Sequence, residues 1–332
     1  MYDIAIIGAG PAGSTLARLI GGQYRTLLVD KRDLLGPVEI KANGKCCGGL
    51  LAPDAQAMLS KMGLGLPRKA ISGPQLFSVR AIDIGARIER HYQRFYINMN
   101  RLEFERWLLS MVPTNVDIKL GHRFKSYEAT DDGFRIEVRG TAETTIAHAR
   151  IIVGADGALS RVRKLALVDR PWPKQYFAIQ EWFEVDSPLP YFSSIFDPEI
   201  TDYYCWTIPK DDHLVVGAAL NPKDNTHEKF ELLKQKLRDY GFEFGKPVRR
   251  EGAFLLRPVR TGQIATGTDR IALIGEAAGW ISPSSAEGFS YAFKSAIALA
   301  NALRKSLPNF QPHYHRKAAT LKTAILDRKS VV

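Results

Sequence analysis

The stretch Tyr2-Asp3-Ile4-Ala5-Ile6-Ile7-Gly8-Ala9-Gly10-Pro11-Ala12-Gly13 opens the chain, and its reading decides the fold. Tyr2–Ile7 is apolar and β-rich, three glycines follow at once, and a helical pattern then runs through Ile20. The three glycines differ in what they do: Gly8 makes a tight turn, Gly10 lets the backbone approach a pyrophosphate, and Gly13 lets helix and strand pack closely. The helix start, with Ala12 in its first turn, offers unpaired N–H groups and a positive dipole end to an anion. Thr26–Val29 reads as a second buried parallel strand closing on Asp30, which is placed to accept hydrogen bonds from ribose hydroxyls. Strand, glycine turn, helix, strand and acid together form a dinucleotide-binding βαβ unit.

Working outward, residues 34–52 hold glycines and a proline and read as a long loop, with a helix over 53–62. Residues 77–84 and 86–98 read as strands. Over 101–111, Leu102, Phe104, Trp107 and Leu108 recur at helical spacing. Residues 116–139 alternate like antiparallel strands, and 151–153 return as a buried strand. The segments 176–185, 192–196 and 203–220 are strand-like and rich in aromatics, with a helix over 226–240 lying across them. Residues 271–274 are again a buried parallel-type strand, followed by a helix over 288–303. The expected fold is α/β: a Rossmann-type cofactor domain (1–75, 98–172 and 265–307) into which a mostly antiparallel, α+β substrate domain (76–97 and 173–264) is inserted. Residues 308–332 form a tail.

Two distal segments separate one dinucleotide from another. Gly154-Ala155-Asp156-Gly157-Ala158-Leu159-Ser160-Arg161-Val162-Arg163 resembles the GADG-x-x-S-x-V-R segment of the para-hydroxybenzoate-hydroxylase-like flavoprotein superfamily. Gly275-Glu276-Ala277-Ala278-Gly279 resembles that superfamily's GDAAG segment beside the flavin ribityl chain, with Glu276 in place of aspartate. Pro283 and Ala286-Glu287-Gly288-Phe289 continue it up to the last helix, whose start suits a flavin carbonyl. Arg101 matches a helix-start arginine that contacts the cofactor in these families. The resemblance implies FAD, with Asp156, Glu276, Gly288, Phe289 and Arg101 among its contacts.

Within the superfamily, Lys45-Cys46-Cys47-Gly48-Gly49-Leu50 resembles the K-P-C-G-G loop of the geranylgeranyl reductase family, with Cys46 replacing proline. Tyr204-Cys205-Trp206-Thr207-Ile208-Pro209 resembles that family's Y-x-W-x-F-P motif, and flavin halogenases carry a similar W-x-W-x-I-P stretch. Cys47 through Gln56, Ser194–Asp197 (written with the string SIFD) and the GEAAG segment are similar to one bacterial branch of the reductases. The likeness runs from Met1 to about residue 305. It implies reduction of carbon–carbon double bonds in an isoprenoid or other apolar lipid.

An isolated double bond is unpolarised, so hydride delivery to one carbon needs a proton donor at the other. Cys47 is the candidate, because a thiol beside Gly48 and Gly49 can come close to the flavin; the alternative is that Cys47 and Gly48 only contact the cofactor. A vicinal disulfide with Cys46 is disfavoured by strain. Tyr204 and Trp206 alternate with Cys205 and Thr207, so both point to one strand face. With Phe192 and Phe196 they line a channel for an isoprenoid or else form an ordinary aromatic core.

Bulk properties bound the rest. A chain of 332 residues with 45% hydrophobic and 24% charged residues is of ordinary globular composition. Its net charge of +11 points to an acidic partner such as anionic lipid or a phosphate-bearing small molecule. The basic residues are scattered and no nucleic-acid motif accompanies them, so nucleic acid is not expected. The three cysteines lack ligand spacing, which argues against a metal site. No leader precedes the first strand and no apolar run spans a bilayer, so the expected location is cytoplasmic or peripheral at the inner membrane face. The tail, with Lys317, Lys322, Arg328 and Lys329 around Leu321, Ala324, Ile325 and Leu326, reads as a terminal helix, solvated or touching anionic lipid. No second nicotinamide-binding unit is present, which leaves NAD(P)H docking transiently or a reduced carrier protein as electron donor. Two other functions stay open: an aromatic monooxygenase or halogenase of the same fold, and a non-enzymatic flavin-bearing redox partner.

Overall fold

The computed structural model describes residues 1–37, 45–141, 143–186 and 189–327. Along the chain come β1 (Tyr2–Ile7), α1 (Pro11–Ile20), β2 (Thr26–Val29), β3 (Leu50–Leu51), α2 (Pro53–Lys61), β4 (Leu76–Asp83), β5 (Ile88–Asn98), α3 (Arg101–Ser110), β6 (Asp117–Lys119), β7 (Arg123–Thr130), β8 (Gly133–Arg139) and β9 (Thr144–Gly154). There follow α4 (Arg161–Ala166), β10 (Lys174–Glu184), β11 (Phe192–Phe196), β12 (Cys205–Lys210), β13 (His213–Leu220), α5 (Thr226–Asp239), β14 (Pro247–Arg257), β15 (Gly267–Thr268), β16 (Ile271–Leu273), α6 (Phe289–Lys305) and α7 (Gln311–Asp327).

Two compact units divide the chain: Met1–Gly44, Glu105–Lys174 and Leu256–Val332 form the first, Lys45–Phe104 and Gln175–Leu255 the second. These borders differ from those expected at 75/76, 97/98, 172/173 and 264/265. The cysteine loop, α2 and Arg101 group with the second unit because β3 pairs with β5, Leu50 opposite Asn98 and Leu51 opposite Ile97. The tail groups with the first.

In the first unit the sheet runs β15-β16-β9-β1-β2-β6, with β7 and β8 folded antiparallel onto β9. β6, β2, β1, β9 and β16 are mutually parallel. A parallel sheet covered on both faces needs strands apolar on both sides, and Ile4, Ala5, Ile6 and Leu27 are fully buried. The chain turns from β1 to β2 on one side and returns to β9 on the other, so the strand order switches at β1, where open α/β sheets bind ligands. α7 docks here too. Tyr314, Ala318 and Ile325 are fully buried, and the Tyr314 hydroxyl donates to Leu273 O at 2.8 Å. Of the apolar residues expected on the tail's stripe, Ile325 is buried, Leu321 packs partly against the same core and Ala324 is exposed; the side chain of Leu326 and residues Arg328 and Lys329 lie outside the described residues, as does the 38–44 part of the expected loop. Among the described residues no helix is long and apolar enough to cross a membrane.

The second unit is built on a sheet of order β14-β10-β13-β12-β11-β4-β5-β3. It is mostly antiparallel as expected, except that β11 pairs parallel with β4. One face packs on α5: Ile82, Ile179, Ile195, Cys205, Val216 and Ala218 join Phe230, Leu233 and Leu237 in a single core. Asn225 starts α5 by accepting from Glu228 N at 3.3 Å. Period-two alternation sends the intervening residues to the opposite face. β14 was not expected from the sequence, because Arg249-Arg250-Glu251 hides the strand pattern.

Candidate functional site

Four sequence motifs meet at one edge of the first unit's sheet. Ile7 pairs with Val29 on one side and Gly154 on the other, and Gly154 pairs with Leu273. The glycine turn, Asp30, the GADG segment and the GEAAG segment therefore leave the sheet at one level. Backbone bonds lock them: Gly8 N to Val29 O at 2.7 Å, Ala155 N to Ile7 O at 2.7 Å, Ile274 N to Gly154 O at 3.0 Å.

The three glycines of the turn are there for different reasons. Gly8 has φ +110° and Gly13 would place a Cβ 1.8 Å from Gly8 O, so the protein itself demands both. Gly10 is different. Its φ of −72° suits any residue, and a Cβ would come no nearer than 3.8 Å to Glu105 Oε1 and 4.0 Å to Arg32 Nη2. Nothing among the described residues requires glycine there, and the open backbone leaves room for a ligand's phosphates. Gly10 caps α1, whose first turn carries no acid, which suits phosphate. The residues present thus fit a dinucleotide.

Asp30 is placed otherwise than expected. Its carboxylate accepts from Ala9 N at 2.7 Å and from Arg32 N, Nε and Nη2 at 2.8, 3.2 and 3.1 Å. A carboxylate offers about four acceptor sites, so none is left for a ribose hydroxyl, and Asp30 instead braces the glycine turn and Arg32. Arg32 in turn donates through Nη1 to Glu105 Oε2 at 2.7 Å, and Glu105 is only 1% exposed. Neither Arg32 nor Glu105 was expected at the site from the sequence. The basic residue two beyond Asp30 was a signal for the first; a helical glutamate next to Phe104 gave none.

Asp156 lies at the start of α4, whose N-cap is Ser160, accepting from Ser160 Oγ at 2.5 Å, Arg161 N at 2.7 Å and Val162 N at 3.2 Å, and burial raises its pKa. Glu276 Oε1 accepts from Leu256 N at 3.1 Å, a reach that accounts for glutamate where the superfamily has aspartate. Arg163 is fully buried and ties the GEAAG turn to its surroundings, donating to Ala277 O at 3.3 Å and Gln263 O at 2.8 Å. Gly288 caps α6, ahead of Phe289, and Glu287 accepts from Ser290 N at 2.7 Å, so a carboxylate stands at the helix start that was read as an anion site.

The second unit carries the thiol and the aromatics. Cys47 Sγ accepts from Gly49 N at 3.4 Å and from Arg101 Nη1 at 3.7 Å. Asn100 starts α3 and so positions Arg101, accepting from Leu102 N and Glu103 N at 3.0 and 3.1 Å. Cys46, Cys47 and Cys205 are all free thiols, and burial pushes the Cys46 thiol up. Lys210, also unexpected from the sequence, is 3% exposed and has no carboxylate partner among the described residues. Its ammonium donates to Gly49 O at 3.0 Å and Met99 O at 2.6 Å, tying the cysteine loop to the strand end just before Arg101. Burial lowers its pKa to about 7.

Tyr204 and Trp206 do share a face, with ring centroids 5.6 Å apart. Because Ile195 lies in the α5 core and Ser194 pairs with Trp206, alternation puts Phe192 and Phe196 on that same face. Phe192 packs edge-on against Tyr96 at 5.7 Å. The cysteine loop lies there as well: a Cβ on Gly48 would meet Ile208 Cδ1, and Gln180 Nε2 donates to Cys47 O at 3.4 Å.

A doubly wound sheet with such a glycine turn at its switch point defines a dinucleotide-binding protein, and the chain belongs to the FAD binding domain family, whose model matches residues 1–235. It is an FAD-dependent oxidoreductase by family. More particularly, it is 41% identical over 327 residues to Protein CbrA of Escherichia coli O139:H28 (strain E24377A / ETEC), covering 98% of this chain and 91% of that protein. In fold it is similar to a geranylgeranyl bacteriochlorophyll reductase-like protein of Thermoplasma acidophilum, with TM-score 0.82, 19% identity and coverage of 98% and 84%. It is also similar to pqsL, a probable FAD-dependent monooxygenase from Pseudomonas aeruginosa, with TM-score 0.71, 18% identity and coverage of 98% and 94%.

Proposed function

We propose that this protein reduces carbon–carbon double bonds of an isoprenoid or other apolar lipid. The observation that carries the reading is the Cys47 loop on the aromatic face of the second unit. In the first unit Gly10 and the start of α1 would hold the adenosine diphosphate part of FAD, with Asp30 and Arg32 bracing the glycine turn, and Asp156, Glu276, Gly288 and Phe289 would serve the flavin end. Bound FAD supplies two-electron hydride chemistry.

The chain's own residues supply the proton. Cys47 holds it at Sγ and releases it to the second alkene carbon. The thiolate left behind is stabilised by the two N–H groups already aimed at sulfur, from Gly49 and Arg101. Lys210 keeps both of those groups in register. The aromatic rings exclude water and align the chain of the substrate.

The reading is tested anaerobically. The flavin of the purified protein is photoreduced, polyprenyl phosphates are added, and reoxidation is followed with mass analysis of the lipid. Reoxidation with a gain of two hydrogens supports the reductase. Flavin that stays reduced until air enters favours the second reading, an oxygen-using monooxygenase or halogenase, which the similarity in fold to pqsL keeps in play.

A further inference from the structure

On the aromatic face of the second unit, two buried polar atoms stand unmet. Trp206 is 7% exposed and Gln180 fully buried, yet Trp206 Nε1 and Gln180 Oε1 have no hydrogen-bond partner among the described residues. They belong to neighbouring structure. Gly217 pairs with Trp206 on one side and Gln180 on the other. A Cβ on Gly217 would fall 2.4 Å from Trp206 Nε1 and 2.3 Å from Cε2, so the indole lies flat across Gly217 toward β10. This brings the indole N–H to within one strand spacing, about 5 Å, of the strand that carries Gln180.

The orientation of the glutamine amide is fixed. Its other atom sits 2.7 Å from Glu251 Oε2, and a carboxylate only accepts, so that atom is the NH₂ and Oε1 is the one left over. The same NH₂ reaches Cys47 O at 3.4 Å, which holds the amide beside the thiol loop. One donor and one acceptor therefore belong to residues that flank Gly217 on one face of the sheet, and the amide is held beside the Cys47 loop.

We infer that this pair reads a hydroxyl group on an otherwise apolar ligand. A hydroxyl accepts from Trp206 Nε1–H and donates to Gln180 Oε1 with a single oxygen. A pure hydrocarbon buries both atoms unmet, and an ether oxygen meets only the indole. The preferred ligand is thus an isoprenoid alcohol. This inference rests on the reading that the aromatic face holds an apolar substrate, and it adds which end of that substrate is recognised. Each bond to a buried group of this kind is worth about tenfold in affinity.

The test is equilibrium binding of farnesol and of farnesyl methyl ether to the oxidised, FAD-loaded protein, where no turnover occurs. Farnesol is expected to bind about tenfold tighter than the ether. Gln180→Leu removes the difference by bringing the alcohol down to the ether. Trp206→Phe, which keeps an aromatic ring, weakens both ligands about tenfold and preserves their ratio. Equal binding of alcohol and ether to the parent protein overturns the inference while leaving the apolar-substrate reading intact. So do variants that shift the flavin absorbance or its retention while leaving the ligand ratio unchanged, since the two atoms then serve the cofactor. If neither ligand binds, the apolar-substrate reading fails and takes this inference with it.

Discussion

Replacing Gly10 with alanine separates folding from cofactor binding. The backbone at Gly10, φ −72° and ψ −174°, is open to any residue, and the new methyl would sit 3.8 Å or more from its nearest neighbours, Glu105 Oε1 and Arg32 Nη2. Two small terms act on the cofactor-free protein. Losing a glycine restricts the unfolded chain and stabilises by about 0.4–1 kcal/mol; placing alanine at a helix N-cap costs roughly 0.5 kcal/mol. They nearly cancel, so the apoprotein is expected to unfold within about 1 kcal/mol of the parent. The holoprotein behaves otherwise. A methyl on the surface that meets the pyrophosphate removes at least one charge-assisted hydrogen bond, about 1.5–3 kcal/mol, or roughly 10- to 150-fold in FAD dissociation constant. The assay is urea unfolding of both apoproteins, alongside titration of each with FAD followed by quenching of flavin fluorescence. Gly13→Ala is the control: its methyl would strike Gly8 O at 1.8 Å, and the chain is expected not to fold. Undiminished FAD affinity in Gly10→Ala would refute the reasoning, because the glycine would then answer to nothing at that position.

Three further outcomes follow from the buried charges and the thiol. Lys210 titrates near 7 in the folded protein against an ordinary 10.5, so between those values the unfolded chain binds the extra proton and stability rises with pH. The stability difference between the parent and Lys210→Met is expected to shift in the parent's favour from pH 7 to 10, by up to about 4 kcal/mol; a difference independent of pH would show that the ammonium is not buried as described. Arg32→Met strips the cation from Asp30 and Glu105, 6% and 1% exposed, and is expected to cost about 3–5 kcal/mol in urea unfolding. A loss under about 1 kcal/mol would mean those carboxylates find other partners. Cys47→Ala is expected to keep its flavin and lose reduced product, measured by lipid mass; unchanged turnover would return Cys47 to a packing role.

The first unit was legible because its determinants are local. A parallel strand buried on both faces must be apolar throughout, a glycine turn must follow it, and an acid must close the next strand, all within residues 2–30. GADG and GEAAG were read by resemblance to a flavoprotein superfamily, each being a contiguous string that can be matched without knowing the fold. The shared face of Tyr204 and Trp206 followed from the two-residue period of a strand.

What the sequence could not decide were the partners of buried polar groups, because those come from residues far apart in the chain. Asp30 looked free to meet a ribose until Arg32 folded back on it and Glu105, from α3, closed the other side. Lys210, inside the strand-like segment 203–220, gave no signal in the sequence. Only the antiparallel pairing of β3 with β5 brings Gly49 O and Met99 O to its ammonium. Trp206 was legible as an aromatic, but its unmet N–H beside Gln180 exists only because β13 offers a glycine between them. Local pattern set the strands and turns, and motif resemblance the cofactor class; the hydrogen-bond balance of the interior, which decides what a bound molecule must bring, was set by tertiary pairing.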